Sequence, residues 1–255
     1  MLRELALAAA LPVAFHGYLE RAGPRPRPLR ALLGFAAGGA LAHLGFALLH
    51  PTAVAANPAL LLDLESGFCA LFVVAGPLVL APRTRDRGAF VGAALGALPA
   101  ALAVARLGCL AAGCCAGLPL GFSLERGHPA LPALRALGLA VASGRLRHPT
   151  ALYDLAGCLV LARAGARLPL RHVPGAVLAG LGGLRLVLEP LRAGAPPGPP
   201  VVDVRWLALL GLAAGVVAWV RAGAGPAGTA GRGPMLRSWR KPGIARGGSD
   251  SSDSA

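Results

Sequence analysis

The chain has 255 residues, of which 55% are hydrophobic and 14% are charged, and its mean hydropathy is +0.63. A water-soluble fold of this composition would leave much apolar surface unburied, so the composition indicates a membrane protein. The formal net charge of +14 could also suggest binding to nucleic acid. The arginines, however, lie between apolar runs and not along one stripe or tail, so we predict no nucleic-acid partner.

Seven apolar segments follow one another along the chain and predict about seven transmembrane helices. Their approximate bounds are 5–19, 31–49, 66–81, 88–105, 149–162, 173–191 and 206–220. The predicted fold class is therefore all-α, a polytopic membrane protein. Residues 1–19 could instead form a signal peptide, but Glu4 offsets Arg3, and His16 and Tyr18 close the segment, so we keep it as the first helix.

Basic residues alternate between the predicted loops, and this alternation predicts the orientation of the chain. The loops after the first, third and fifth spans and the tail after the seventh are rich in arginine: Arg21, Arg25, Arg27 and Arg30, then Arg83, Arg85 and Arg87, then Arg163, Arg167 and Arg171, then the tail from Arg221. Because retained positive charge marks the cytoplasmic side, the amino terminus is predicted outside and the carboxyl terminus in the cytoplasm. The predicted membrane domain covers residues 1–221, and residues 222–255 are predicted to be a basic, disordered cytoplasmic tail.

The predicted external segment, about residues 108–148, is an exception because it also holds arginines: Arg126, Arg135, Arg145 and Arg147. These side chains could be ordinary solvated arginines or could form a positive surface for lipid phosphates, and the sequence leaves both interpretations open. Leucines at positions 131, 134 and 137 have the spacing of a short interfacial helix.

The stretch "ARLGCLAAGCCAG" places Arg106 at the end of the predicted fourth span, followed by Gly108, Gly113 and Gly117. An arginine fork can hold a phosphate by two parallel hydrogen bonds. The glycines would let the chain turn or let a lipid approach the backbone. Taken alone, Arg106 could equally be an interfacial anchor.

The same stretch contains Cys109, Cys114 and Cys115. They could be small packing residues, a disulfide or a soft-metal site. Packing is favoured, since no histidine or acid lies at ligand spacing, and we predict no metal site and no cofactor.

In "RHPTALYDLAGC", His148 is predicted at the outer mouth of the fifth span, with Tyr153 and Asp154 about one turn deeper. Ionisable groups at membrane depth are costly and usually face partners or a water-filled cavity. A neutral imidazole could accept a proton near neutral pH. The alternative is a structural histidine.

In "GLRLVLEPLR", Arg185, Glu189 and Arg192 are spaced i, i+4 and i+7 and are predicted to share one helical face. They could form an ion pair that locks two helices together. An arginine held by Glu189 would also be pre-positioned for an anion.

Three segments in this order resemble the motifs of the prolipoprotein diacylglyceryl transferase family, seven-helix bacterial enzymes with an outside amino terminus. "ARLGCLAAGCCAG" is similar to the family's Gly-Arg-Leu-Gly-Asn-Phe-Ile-Asn-Gly-Glu-x-x-Gly. "HPTALYD" is similar to His-Pro-Ser-Gln-Leu-Tyr-Glu, and "LRLVLEPLR" to Phe-Arg-x-x-x-Glu-x-x-Arg. The resemblance covers about residues 11–221.

The chain departs from the family at several motif positions. The family's His-Gly-Gly motif, at the start of the third span, has no counterpart, and "LESGFCALF" stands in its place. Cys109, Ala112 and Cys114 replace two asparagines and a glutamate of the signature. His43 stands where the second span of the family has an arginine.

The resemblance implies that the diacylglyceryl group of phosphatidylglycerol moves to the thiol of a lipobox cysteine in a prolipoprotein, at the bacterial inner membrane. Two alternatives remain open: a catalytically impaired homologue that binds anionic phospholipid, and a small membrane transporter or scaffold.

The resemblance also implies roles for individual residues. Arg185 would stabilise charge on the departing phosphate. The acceptor thiol needs a base, for which His148 and Tyr153 are the candidates. The predicted substrate-binding residues are Arg106, Gly108, Gly113, Gly117 and Glu189.

Overall fold

The computed structural model describes residues 2–23, 26–58, 73–81, 87–113, 117–125, 127–137, 139–140, 144–192 and 204–224. Most of these residues are helical. The helices are α1 (Leu2–Arg21), α2 (Pro28–Leu49), α3 (Pro51–Ala56), α4 (Ala75–Val79), α5 (Arg87–Ala112), α6 (Leu131–Ala136), α7 (Thr150–Arg167), α8 (Val173–Leu188) and α9 (Val204–Ala224). A 3-10 turn, Glu189–Leu191, follows α8, and two strands, β1 (Pro119–Ser123) and β2 (Arg145–Arg147), lie in the predicted external segment.

Four of the described helices are long and apolar enough to cross a membrane, which supports the prediction of an all-α membrane protein. They are α2, α5, α8 with its 3-10 turn, and α9. The predicted first and fifth spans are helical, as α1 and α7, but they are not among these four; α7 carries Asp154, Arg163 and Arg167. Residues 59–72, which include much of the predicted third span, lie outside the described residues, so the count of seven and the orientation stay predictions.

The central helix of the bundle is α5, which packs against α1, α7 and α8. Ala93, Ala94 and Leu95 in its middle are fully buried. A helix that is apolar on all sides is buried by its neighbours, and small residues let those neighbours approach closely. Arg106 lies further along this helix, so α5 fixes its position relative to the surrounding helices.

Helices α8 and α9 pack backbone against backbone at glycine residues. A Cβ added at Gly182 would lie 2.6 Å from the carbonyl oxygen of Ala208, and one added at Gly175 would lie 2.7 Å from the amide nitrogen of Trp219. Close contact through small residues is typical of helix pairs in membranes. The rest of α9 exposes apolar side chains such as Trp206 and Leu210, which suits a surface that faces lipid.

The segment predicted to be external contains a small antiparallel sheet that the all-α prediction lacks. Pro119 of β1 pairs with Arg147 of β2, and Ser123 pairs with Arg145, with an irregular register between them. Strands this short carry no period-2 pattern, so their sequence gives no strand prediction. The predicted helix at 131–137 is present as α6.

Two helix boundaries differ from the prediction, and both concern candidate site residues. Arg106 does not end its helix, because α5 continues to Ala112 and the chain turns at Gly113, whose φ of 65° favours glycine. Arg192 does not share a helical face with Arg185 and Glu189, because α8 ends at Leu188 and Arg192 is extended. Pro190 lacks the N–H that a continuing α-helix requires.

Candidate functional site

Three chain segments meet through backbone hydrogen bonds where α5 ends, α7 begins and the turn after α8 ends. The amide of Gly117 donates to the carbonyl of His148 (2.8 Å), and the amide of His148 donates to the carbonyl of Leu118 (3.0 Å). The amide of Leu118 donates to the carbonyl of Leu191 (2.8 Å). We call Gly117, Leu118, His148 and Leu191 the junction. Each of its segments carries one of the three motifs described above, so the junction brings the motifs together.

Gly117 lies where the segments of the junction are closest to one another. A Cβ at this position would collide with the carbonyl oxygen of Leu191, and it would lie 2.7 Å from Cβ of His148 and 2.8 Å from Cγ2 of Thr150. Glycine is therefore needed for the backbones to approach. Its predicted role in lipid binding stays a prediction.

A buried carboxylate joins the three segments a second time, through side chains. Oδ2 of Asp154 lies 3.1 Å from Nε of Arg106 and 3.9 Å from Nη1 of Arg192. Only 8% of the Asp154 side chain is exposed. A buried charge is costly unless it is paired, so this carboxylate holds α5, α7 and the segment after α8 in register.

Arg185 and Glu189 form a second ion pair at the end of α8, with 3.2 Å between Nε and Oε2. Nη1 of Arg185 is buried and has no hydrogen-bond partner among the described residues. A buried N–H donor without a partner destabilises the folded protein, because it has lost its hydrogen bonds to water. A bound anion would accept a hydrogen bond from it. Glu189 therefore holds the Arg185 guanidinium in place, with its Nη1 available as a donor.

Arg106 and Arg185 line the same pocket, between α5, α7 and α8. Its walls combine these two cations and one acid with apolar side chains, as in pockets for amphipathic ligands. The lining residues are Leu102, Arg106, Asp154, Cys158, Leu181, Leu184 and Arg185.

His148 and Tyr153, the candidate bases, lie close to each other but are not among the residues that line this pocket. Their ring centroids are 6.2 Å apart, with the rings in an edge-on arrangement. Nδ1 of His148 is buried and unpartnered among the described residues. The structure thus brings the two candidates together at the start of α7.

The remaining predicted site residues, Gly108 and Gly113, follow Arg106 along the chain. Gly108 is buried within α5, and Gly113 ends that helix. Nη1 of Arg106 contacts Sγ of Cys109 at 3.9 Å. Cys114 and Cys115 lie outside the described residues. Across the part of the chain that the structure describes, no three His, Cys, Asp or Glu side chains gather as metal ligands, and the absence of a metal stays a prediction.

Sequence reasoning missed the roles of Asp154, Arg192 and Cys158 in this site. The i, i+4 spacing of Asp154 and Cys158 places both on one face of α7 and could have indicated that they line the same pocket. Pro190 could have indicated that the helix ends before Arg192. Nothing in the spacing shows that Asp154 pairs with Arg106, because their helices meet only in the tertiary fold.

The fold and the pocket define a multi-pass helical membrane protein with a cationic pocket between its helices. The family model for prolipoprotein diacylglyceryl transferase matches residues 36–221, which is more than half of the chain. The chain belongs to the prolipoprotein diacylglyceryl transferase family, which gives it a transferase role in lipoprotein biosynthesis, with lipid and prolipoprotein substrates. Neither the curated proteins nor the solved structures include a significant match.

Proposed function

We propose that this protein transfers the diacylglyceryl group of phosphatidylglycerol to the thiol of a prolipoprotein lipobox cysteine, at the bacterial inner membrane. The observation that carries the proposal is that Arg106 and Arg185, from two separate motifs, line one pocket with apolar walls. Guanidinium groups suit the phosphate of the donor, and the apolar walls suit the first part of its acyl chains.

In the proposed reaction, the cysteine sulfur forms a bond to the phosphate-bearing carbon of the diacylglyceryl group. The bond between that carbon and the phosphate oxygen breaks, and glycerol phosphate leaves with the electron pair. Arg106 binds the phosphate of the donor. Arg185, held by Glu189 at 3.2 Å, stabilises the charge that develops as the phosphate departs.

The thiol proton must go to a base, because the thiolate is the nucleophile. His148 is the first candidate, since its buried Nδ1 has no partner among the described residues and a neutral imidazole accepts a proton near neutral pH. Tyr153 is the second. Loss of the base should lower the transfer rate by about two to four powers of ten. We therefore expect this loss in only one of the two variants, His148→Gln or Tyr153→Phe, when their transfer rates are compared with that of the parent.

We further propose that the pocket faces the outer side of the membrane, in a chain of seven spans with the amino terminus outside. Helix α7 begins next to the junction and ends in its basic turn at Arg167. Near that second end, Nη1 of Arg21 donates to the carbonyl of Gly165 at 3.3 Å. The junction and these arginines therefore lie at opposite ends of α7, and basic loops favour the cytoplasm.

The decisive experiment is complementation of a cell depleted of its own transferase, followed by lipidation of a lipobox peptide by the purified protein. We expect transfer in vesicles that contain phosphatidylglycerol, without added metal. Loss of activity on chelation that zinc restores would contradict the metal-free prediction. Retention of phosphatidylglycerol without transfer in any lipid would overturn the proposed activity and favour the impaired lipid-binding homologue.

A further inference from the structure

One carboxylate oxygen serves two arginines at this site. Oδ2 of Asp154 contacts Arg106 on α5 and Arg192 beyond α8, at 3.1 and 3.9 Å. The second ion pair, Arg185 with Glu189, is independent of it. Within this set of ion pairs, three guanidiniums stand against two carboxylates and leave one net positive charge.

The proposed reaction changes the charge of the ligand at this place. Phosphatidylglycerol is a phosphodiester with one negative charge. The glycerol phosphate that leaves is a phosphomonoester, which loses its second proton at about pH 6 and therefore carries close to two charges at pH 7. A negative charge at the edge of the pocket therefore disfavours the product, with close to two charges, more than the donor, with one.

We propose that Asp154 sets the charge of this site so that it prefers a phosphodiester monoanion over a phosphomonoester dianion, and thereby favours release of the product. The inference rests on the proposed function and deepens it. Asp154 acts through Arg106 and Arg192, so it is a positioning residue and not a catalytic one.

Burial explains why this role falls to Asp154 and not to Glu189. The side chain of Asp154 is 8% exposed and that of Glu189 is 24% exposed. Solvent screens a charge less as it becomes more buried, so the charge of Asp154 acts more strongly on a ligand in the pocket. Asp154 also lines that pocket, together with Arg106 and Arg185.

The test compares two soluble competitors of phosphatidylglycerol binding to the full-length protein in one detergent at neutral pH. Glycerol 1-phosphate is the monoester probe, and glycerophosphoglycerol is the diester probe. Asp154→Asn keeps the shape of the side chain and removes its charge. A unit charge a few ångströms away shifts ionic equilibria by about one to three powers of ten. We therefore expect the affinity for the monoester, relative to that for the diester, to rise at least about tenfold in Asp154→Asn.

Three further variants sharpen the comparison. Asp154→Glu keeps the charge and should keep the parent ratio of the two inhibition constants. Arg192→Gln lowers the net charge and should shift the ratio in the opposite direction, which keeps the test informative if Asp154→Asn does not fold. Glu125→Gln removes a carboxylate from an exposed position of the external segment and should leave the ratio unchanged.

An unchanged ratio in folded Asp154→Asn, or an equal loss of both competitors, would overturn the proposal, because Asp154 would then only support the structure or the geometry of Arg106. The same shift in Glu125→Gln would overturn it as well, since the effect would not be local. The ratio of inhibition constants is measured without turnover, so its outcome is independent of the complementation experiment. A protein that shows the ratio but never transfers would disprove the proposed activity alone.

Discussion

At the scale of single residues, Arg106 should matter most for holding the donor lipid. We expect Arg106→Ala to weaken the binding of phosphatidylglycerol by about 1.5 to 3 kcal/mol, the range for hydrogen bonds to a charged group. It should also lower thermal stability, because the buried Asp154 would keep only the longer contact to Arg192. Lipid retention and thermal unfolding in one membrane preparation would measure both effects.

Arg145→Ala provides the matched control for that prediction. Arg145 is exposed on β2, so its loss should change little apart from the salt dependence of lipid binding. If Arg106→Ala retained lipid as well as the parent, Arg106 would be a structural anchor and the headgroup assignment would be wrong.

Arg185 should affect the rate more than binding. Removing a group that stabilises developing charge costs a factor on the order of 10² to 10³ in kcat, so we expect Arg185→Ala to lower kcat by about this amount with a smaller change in KM. Steady-state kinetics with a lipobox peptide would measure the two parameters separately. A rise in KM at unchanged kcat would contradict the proposed role on the leaving phosphate.

The sequence predicts only part of the site at this scale. The pair of Arg185 and Glu189 follows from their i, i+4 spacing, and the structure confirms the contact. The pairing of Asp154 with Arg106 could not be predicted, because it joins α5 to α7, and the spacing within one helix carries no information about the next.

At the scale of elements, Gly117 fixes how closely the three motif segments approach. We expect Gly117→Ala to destabilise the protein by about 1 to 3 kcal/mol, the usual cost of overpacking, and to lower transfer activity, because the added Cβ would push Leu191 and His148 away. Thermal unfolding and the transfer rate, measured on the same preparation, would test this.

Gly183→Ala on α8 is the control for that substitution, since a Cβ there would meet nothing within 4 Å. We expect its stability to be unchanged or slightly higher, because alanine favours helix over glycine. Equal stability of both variants would mean that the junction tolerates a side chain at Gly117.

Helices were easier to predict than their ends and connections. The apolar runs place α2, α8 and α9 within a few residues, because membrane length and hydropathy both constrain them, while α5 continues seven residues beyond its predicted end. The strands β1 and β2 were not predicted, because they pair across more than twenty residues of sequence, Pro119 with Arg147 and Ser123 with Arg145.

At the scale of the whole molecule, the predicted orientation can be tested directly. If alternate basic loops face the cytoplasm, a reporter at Ala130 should read as external and one at Gly231 as cytoplasmic. Modification by an impermeant reagent in intact and opened cells would measure this. Both reporters on one side would contradict the seven-span arrangement and require an even number of crossings between them.

The junction has a consequence for how freely the chemistry of this pocket can vary. Its hydrogen bonds join main-chain atoms, so apart from the glycine at 117 they do not depend on which side chains the joined residues carry. The main-chain part of the scaffold is therefore independent of the side chains that the joined residues carry. Cys109 stands at a position where a different polar group would leave the same three segments tied together. An engineer could accordingly vary Cys109 and expect the architecture to persist, whereas Arg106, Asp154 and Arg192 tie the same segments together through their side chains and are less exchangeable.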